Sequence, residues 1–160
     1  MRAARPALLV AAMLLLMTAV AGCAPTVSMD GAEDANDPLC AEITVRLPGA
    51  VDGQQRRWTN AQATGAWGEP AAVLLTCGVT PPGPTEAKCI TIGGVDWIVD
   101  ESEAPTYRVT TYGRTPAVEV YIDNRDVSSN DVLDRLGPII AGAIDAGSAC
   151  VASDSALPES

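Results

Sequence analysis

The side chains in this sequence that could do chemistry are cysteines and carboxylates. There are five cysteines, twenty Asp and Glu, and no histidine. The absence of histidine removes Ser-His-Asp and Cys-His arrangements and the usual general base near neutral pH. Lys88 follows Thr85 by three residues, a faint echo of a hydroxyl-x-x-lysine nucleophile, but it sits in a Pro-rich loop that reads more simply as solvated. Structural zinc sites usually draw on closely spaced Cys or His pairs, and the chain has neither a C-x-x-C pair nor a histidine. No G-x-S-x-G, phosphate-cradling loop, dinucleotide fingerprint or calcium-loop spacing occurs either, so no cofactor or metal is expected. Paired carboxylates remain. Asp100, Glu101 and Glu103 cluster after an apolar run, Asp123 and Asp126 follow another, and Glu119 lies within it. Two acids at the right separation hydrolyse glycosides, whereas acids in loops are ordinarily just solvated. Asp96 differs because it interrupts the apolar Val95-Trp97 run. Arg114 is the partner that would make its burial tolerable, as a structural ion pair or as a ligand-facing one.

The cysteines need a compartment before they need a fold. Arg2 and Arg5 precede a charge-free stretch from Pro6 to Val20, and small residues lead into Cys23. Residues 1–22 therefore have the form of a signal peptide. The apolar run of about 15 residues falls short of the roughly 20 that a membrane-crossing helix requires. Val20-Ala21-Gly22-Cys23 resembles the lipobox of bacterial lipoproteins, whose cysteine takes a diacylglyceryl group and becomes the new N-terminus. The alternative is simple secretion, since Ala19-Val20-Ala21 also fits small-x-small cleavage. Setting Cys23 aside for lipid leaves Cys40, Cys77, Cys89 and Cys150, an even set suited to two disulfides outside the glutathione pool.

Loss of Arg2 and Arg5 takes the ten basic residues to eight against twenty acids, a net charge of −12 for the mature chain. Such a surface repels nucleic acid and anionic head groups, so attachment to a membrane must come through the lipid anchor. Residues 23–36 are poor in apolar side chains and are expected to be a lipidated N-terminus with a flexible tether. Residues 37–152 are expected to form a single globular domain, and residues 153–160 a disordered tail.

Within that domain, Asp37-Pro38 offers an N-cap with proline at the first helical position. Leu39, Ile43 and Leu47 then recur every four residues up to Pro48-Gly49, which predicts a short helix. A strand with Ile43, Val45 and Leu47 on one face is the competing assignment. Ala71 to Cys77 is a continuous apolar run and predicts a covered strand. Cys89–Ile92 and Val95–Val99 flank Gly93-Gly94, a tight hairpin. Tyr107–Tyr112 and Ala117–Ile122 form a second pair of strands, the latter alternating Val118, Val120 and Ile122 with Glu119 and Tyr121. Ser128 and Asp131 open the principal helix, whose apolar stripe runs from Val132 to Ile144 with a kink expected at Pro138. Trp58, Trp67 and Trp97 are assigned to the core of a chain that lacks phenylalanine. The fold class is α+β: a mainly antiparallel sheet of four to five strands, a helix at each end, and two disulfides. Two antiparallel helices side by side would bring Cys40 to Cys150, and antiparallel neighbouring strands would bring Cys77 to Cys89.

Trp67-Gly68-Glu69-Pro70, Cys77-Gly78-Val79, Gly94-Val95-Asp96-Trp97 and Tyr112 to Val120 together resemble an actinobacterial exported family known as domain of unknown function thirty-five-fifteen. The resemblance covers about Cys40 to Ile144. It implies an envelope protein, often a lipoprotein, and supplies no activity, substrate or catalytic residue. The expected function is thus a lipoprotein on the outer face of the cytoplasmic membrane, acting as a non-enzymatic module that binds an envelope protein or a cell-wall component. The alternative is a small envelope hydrolase using paired carboxylates, Asp96 with Glu119 or with an acid of the 100–103 cluster.

Overall fold

The computed structural model describes residues 25–151 and Leu157. The signal segment and Cys23 lie outside the described residues. In chain order the elements are α1 (Pro38–Arg46), β1 (Ala50–Val51), β2 (Gln54–Arg57), β3 (Thr64–Trp67), β4 (Val73–Val79), β5 (Cys89–Ile92), β6 (Val95–Glu103), β7 (Thr106–Thr111), β8 (Ala117–Asp123) and α2 (Ser129–Ala141). The eight strands form one antiparallel sheet in the order β1-β2-β3-β4-β8-β7-β6-β5. The class is therefore α+β as expected, but the strand count is eight and not four to five. The extra strands, β1 to β3, come from the polar stretch before Ala71. Gln54–Arg57 carries no apolar residue, and β3 is buried along its whole length, so neither shows the alternation that marks a half-buried strand.

The sheet has one covered face. Val73, Leu75 and Cys77 of β4, Trp97 and Val99 of β6, and Val118, Val120 and Ile122 of β8 share a single core with the helices. The intervening Glu119 and Tyr121 are half-buried on the other face. Asp37 caps α1 as the sequence predicts, its Oδ1 accepting from the Leu39 N–H at 2.8 Å. Ser128 caps α2 through the Asp131 N–H. The helix runs through Pro138 and closes at Gly142, while Ile144 beyond it stays buried and prolongs the apolar phase. The Gly93-Gly94 turn has φ of +62° and +75°. Its tip also presses on α2, since a Cβ on Gly93 would lie 2.7 Å from the Leu133 carbonyl oxygen.

The disulfides are Cys40–Cys77 and Cys89–Cys150, which corrects the expected pairing of Cys40 with Cys150 and Cys77 with Cys89. The reason is strand order. After β4 the chain crosses to the far edge, so β8, β7 and β6 separate Cys77 from Cys89, about 19 Å at ~4.8 Å per strand. Cys77 faces the helices, where Cys40 of α1 meets it. Cys89 is on the opposite parity of an edge strand, where the chain beyond α2 returns.

The expected tether is not free in its described part. Pro25 O accepts from Arg57 Nη2 at 2.6 Å. The Val27 N–H donates to Trp58 O at 2.8 Å, and Met29 N to Asn60 Oδ1 at 2.7 Å. Farther along, Asp34 N donates to Gly78 O at 3.1 Å, and Ala35 is buried. Low apolar content hid this because the segment is held through its backbone, a bond any sequence can make. In the segment expected to be a tail, Leu157 is 3% exposed and exchanges two hydrogen bonds with the side chain of Asn130.

Candidate functional site

Asp96 and Arg114 are both sheltered but do not pair with each other. Strand alternation turns Asp96 toward the open face, where Oδ1 accepts from Thr91 Oγ1 at 2.6 Å and Oδ2 from the Cys150 N–H at 2.8 Å. Arg114, 6% exposed, turns instead toward the helix side. Its Nη1 donates to Ile144 O and its Nη2 to Gly94 O at 3.1 Å. The expected ion pair is thus replaced by two clamps on the chain that follows α2, one on each side of the sheet. Asp96 with Cys89 and Cys150 has the compactness of a ligand trio, but both sulfurs are consumed in the disulfide.

Four of the candidate carboxylates are likewise occupied. Hydrogen bonds from Ser102, side chain and then backbone, hold the Asp100 carboxyl below the ordinary carboxylate range. The Arg125 side chain does the same to Asp123. Glu101 pairs with Lys88 at 2.8 Å and Glu119 with Arg108 at 3.0 Å, so Lys88 serves as a surface ion-pair partner. Asp100 and Asp123 are thus held toward the ionised form, whereas a glycosidase needs one carboxyl raised to act as proton donor. The hollow beside Asp100 and Glu103 is only about 40 Å³, against the several hundred Å³ of an ordinary ligand site.

A different corner of the molecule is open. Trp67 and Trp97 are fully buried, with indole N–H groups donating to Pro48 O and Ile92 O. Trp58 is 82% exposed, which corrects its assignment to the core. It directly follows β2, whose last residues Arg56 and Arg57 act as fasteners. Arg56 donates to Leu47 O and Thr44 O, carbonyls at the C-terminal end of α1 where a cation also complements the helix dipole. Burial lowers the pKa of that guanidinium from its ordinary value. Arg57 donates to Gly68 O at 3.0 Å and to Pro25 O, with Glu69 at 3.3 Å. A groove of about 570 Å³ opens beside Trp58, lined in part by Thr44, Arg56, Arg57 and Gln62 and by no acid. What this corner can do chemically is bind: a flat indole, two cationic side chains and an apolar floor, with no acid in the lining to serve as general acid or base. The one trace of it in the sequence is the run Arg56-Arg57-Trp58 inside a polar stretch.

The sequence model of a family described as Protein of unknown function (DUF3515) matches residues 4–149. The chain belongs to that family. No curated protein and no solved structure matches it. The Trp58 corner of this DUF3515 chain lies within the matched residues, as do the Cys40–Cys77 disulfide, Asp96 and Arg114, whereas Cys150 falls one residue beyond them.

Proposed function

We propose that this DUF3515 chain is a cell-envelope lipoprotein, acylated on Cys23 and held at the outer face of the cytoplasmic membrane, where it acts as a binding module and not as an enzyme. The observation that carries the reading is the use of the cysteines. Cys40, Cys77, Cys89 and Cys150 are all consumed in two disulfides, as suits an oxidising compartment, and the odd one left over is the cysteine that ends the lipobox-like run. The family resemblance, to actinobacterial exported proteins, points the same way. The carboxylate-hydrolase alternative draws no support from Glu101 and Glu119, which are paired with Lys88 and Arg108, nor from the hollow of about 40 Å³ beside Asp100 and Glu103, which is too small for a sugar. An open corner with an exposed tryptophan and no acid in its groove favours a surface that binds over one that catalyses.

Replacing the acyl acceptor tests the anchor. Cys23→Ala should move mature protein from the membrane to the soluble fraction in cell fractionation, with both disulfides intact. Retention of Cys23→Ala in the membrane fraction, to the same extent as the parent, would remove the lipid anchor from the account.

A further inference from the structure

We infer that the Trp58 corner is a membrane-seating surface: with acyl chains on Cys23, the Trp58 indole lies in the lipid–water interface and the domain rests on the bilayer in one orientation. The inference rests on the lipid-anchor reading and adds to it a docking face.

The geometry begins at Pro25. Its carbonyl oxygen is held by Arg57 Nη2 at 2.6 Å, and Val27 forms a parallel bridge with Thr59 in which the Val27 N–H donates to Trp58 O. Pro25 is therefore fixed beside Trp58. Cys23 is two peptide units away, and at 3.8 Å per unit its Cα lies no more than about 8 Å from that of Pro25. A cysteine carrying two acyl chains must lie at the membrane surface, so the corner bearing Trp58 is brought to the head groups by covalent reach alone. A tether of 13 flexible residues would have left orientation open, whereas bonds to Pro25 and Val27 remove nearly all of that slack.

The side chains suit the place. Tryptophan is enriched at membrane interfaces because its ring is largely apolar while its N–H still needs a polar neighbour. Trp58 is 82% exposed, while Trp67 and Trp97 are completely buried. The mature chain carries −12, so an anionic bilayer repels most of its surface, yet the groove beside Trp58 is lined by Arg56 and Arg57 and by no acid, and the nearby Glu69, at 3.3 Å from Arg57, offsets only one of the two cations. The occupant that satisfies indole, cations and covalent proximity together is the bilayer to which the chain is attached.

The test uses the full acylated protein in phosphatidylcholine vesicles, alone and with chains brominated near the head group, after intact-mass measurement of the same sample. Trp58→Phe retains only the emission of Trp67 and Trp97, so subtraction isolates Trp58. Brominated lipid should abolish most of the Trp58 component and leave Trp58→Phe unchanged, and acrylamide should quench Trp58 less in vesicles than in detergent-free Cys23→Ala protein. If the mass shows acylated Cys23 but brominated lipid leaves Trp58 untouched, the seating is wrong and the anchor stands. Protection of Trp58 from acrylamide without lipid quenching would overturn the seating in favour of a second copy covering the corner. An unmodified Cys23 would overturn both.

Discussion

Trp67 and Trp58 are near neighbours with opposite fates. Trp67 pairs across the sheet with Arg56, two residues before Trp58, yet one ring is fully buried and the other is 82% exposed. Trp67 lies on β3 facing α1 and β1. Its N–H donates to Pro48 O at 3.0 Å, and Gly65 leaves room for its ring, since a Cβ there would come within 2.9 Å of Trp67 Cη2. Trp58 sits just past the end of β2, where its backbone carbonyl receives the Val27 N–H and its ring is left in the open. Residue type did not decide burial. A place on a strand buried along its whole length, a cleared space and a partner for the indole N–H did. Of the two, the buried ring organises the fold, and the exposed one is available to something outside it.

Substitutions rank the two rings by what they hold. Trp67→Ala, which empties a fully buried aromatic site and orphans Pro48 O, should cost about 3–5 kcal/mol of unfolding free energy by denaturant titration, a large fraction of the stability of a domain this size. Gly65→Ala fills the space that Trp67 and Leu47 Cδ1 occupy, at 2.9 and 2.8 Å from the added Cβ, and should cost about 1–3 kcal/mol as an overpacked core does. Trp58→Ala removes a ring that almost nothing covers and should change stability by no more than about 0.5 kcal/mol. A Trp58→Ala loss as large as that of Trp67→Ala would erase the contrast, because it would mean the exposed ring is structural. Should Gly65→Ala prove neutral, the cleared space would cease to explain why Trp67 is the buried one.

The same local physics explains which parts of the chain could be read in advance. Asp37-Pro38, Ser128 with Asp131, and Gly93-Gly94 act within a few residues of themselves, so their helix starts and hairpin turn are visible in the sequence. The alternation of Val118, Val120 and Ile122 likewise displays a strand with one wet face. Strands β1 to β3 were not visible. Gln54–Arg57 is polar throughout, and its place in the sheet is set by β3, not by its own pattern. The disulfide pairing failed for a related reason: β8 inserts beside β4, a long-range choice that no spacing between Cys77 and Cys89 records. At the candidate sites, the sheltering of Arg114 was anticipated but its partners are backbone carbonyls, which have no signature in a sequence. Composition alone assigns Trp58 to the core, although Arg56 and Arg57 before it give no apolar neighbour to pack with.

Seating of the Trp58 corner on a bilayer depends on what Cys23 carries. The most direct measurement is mass spectrometry of the N-terminal peptide from protein extracted out of its own membranes. The account predicts a chain that begins at Cys23 with a diacylglyceryl group on the thiol. A chain that begins at Gly22 with an unmodified cysteine would contradict it.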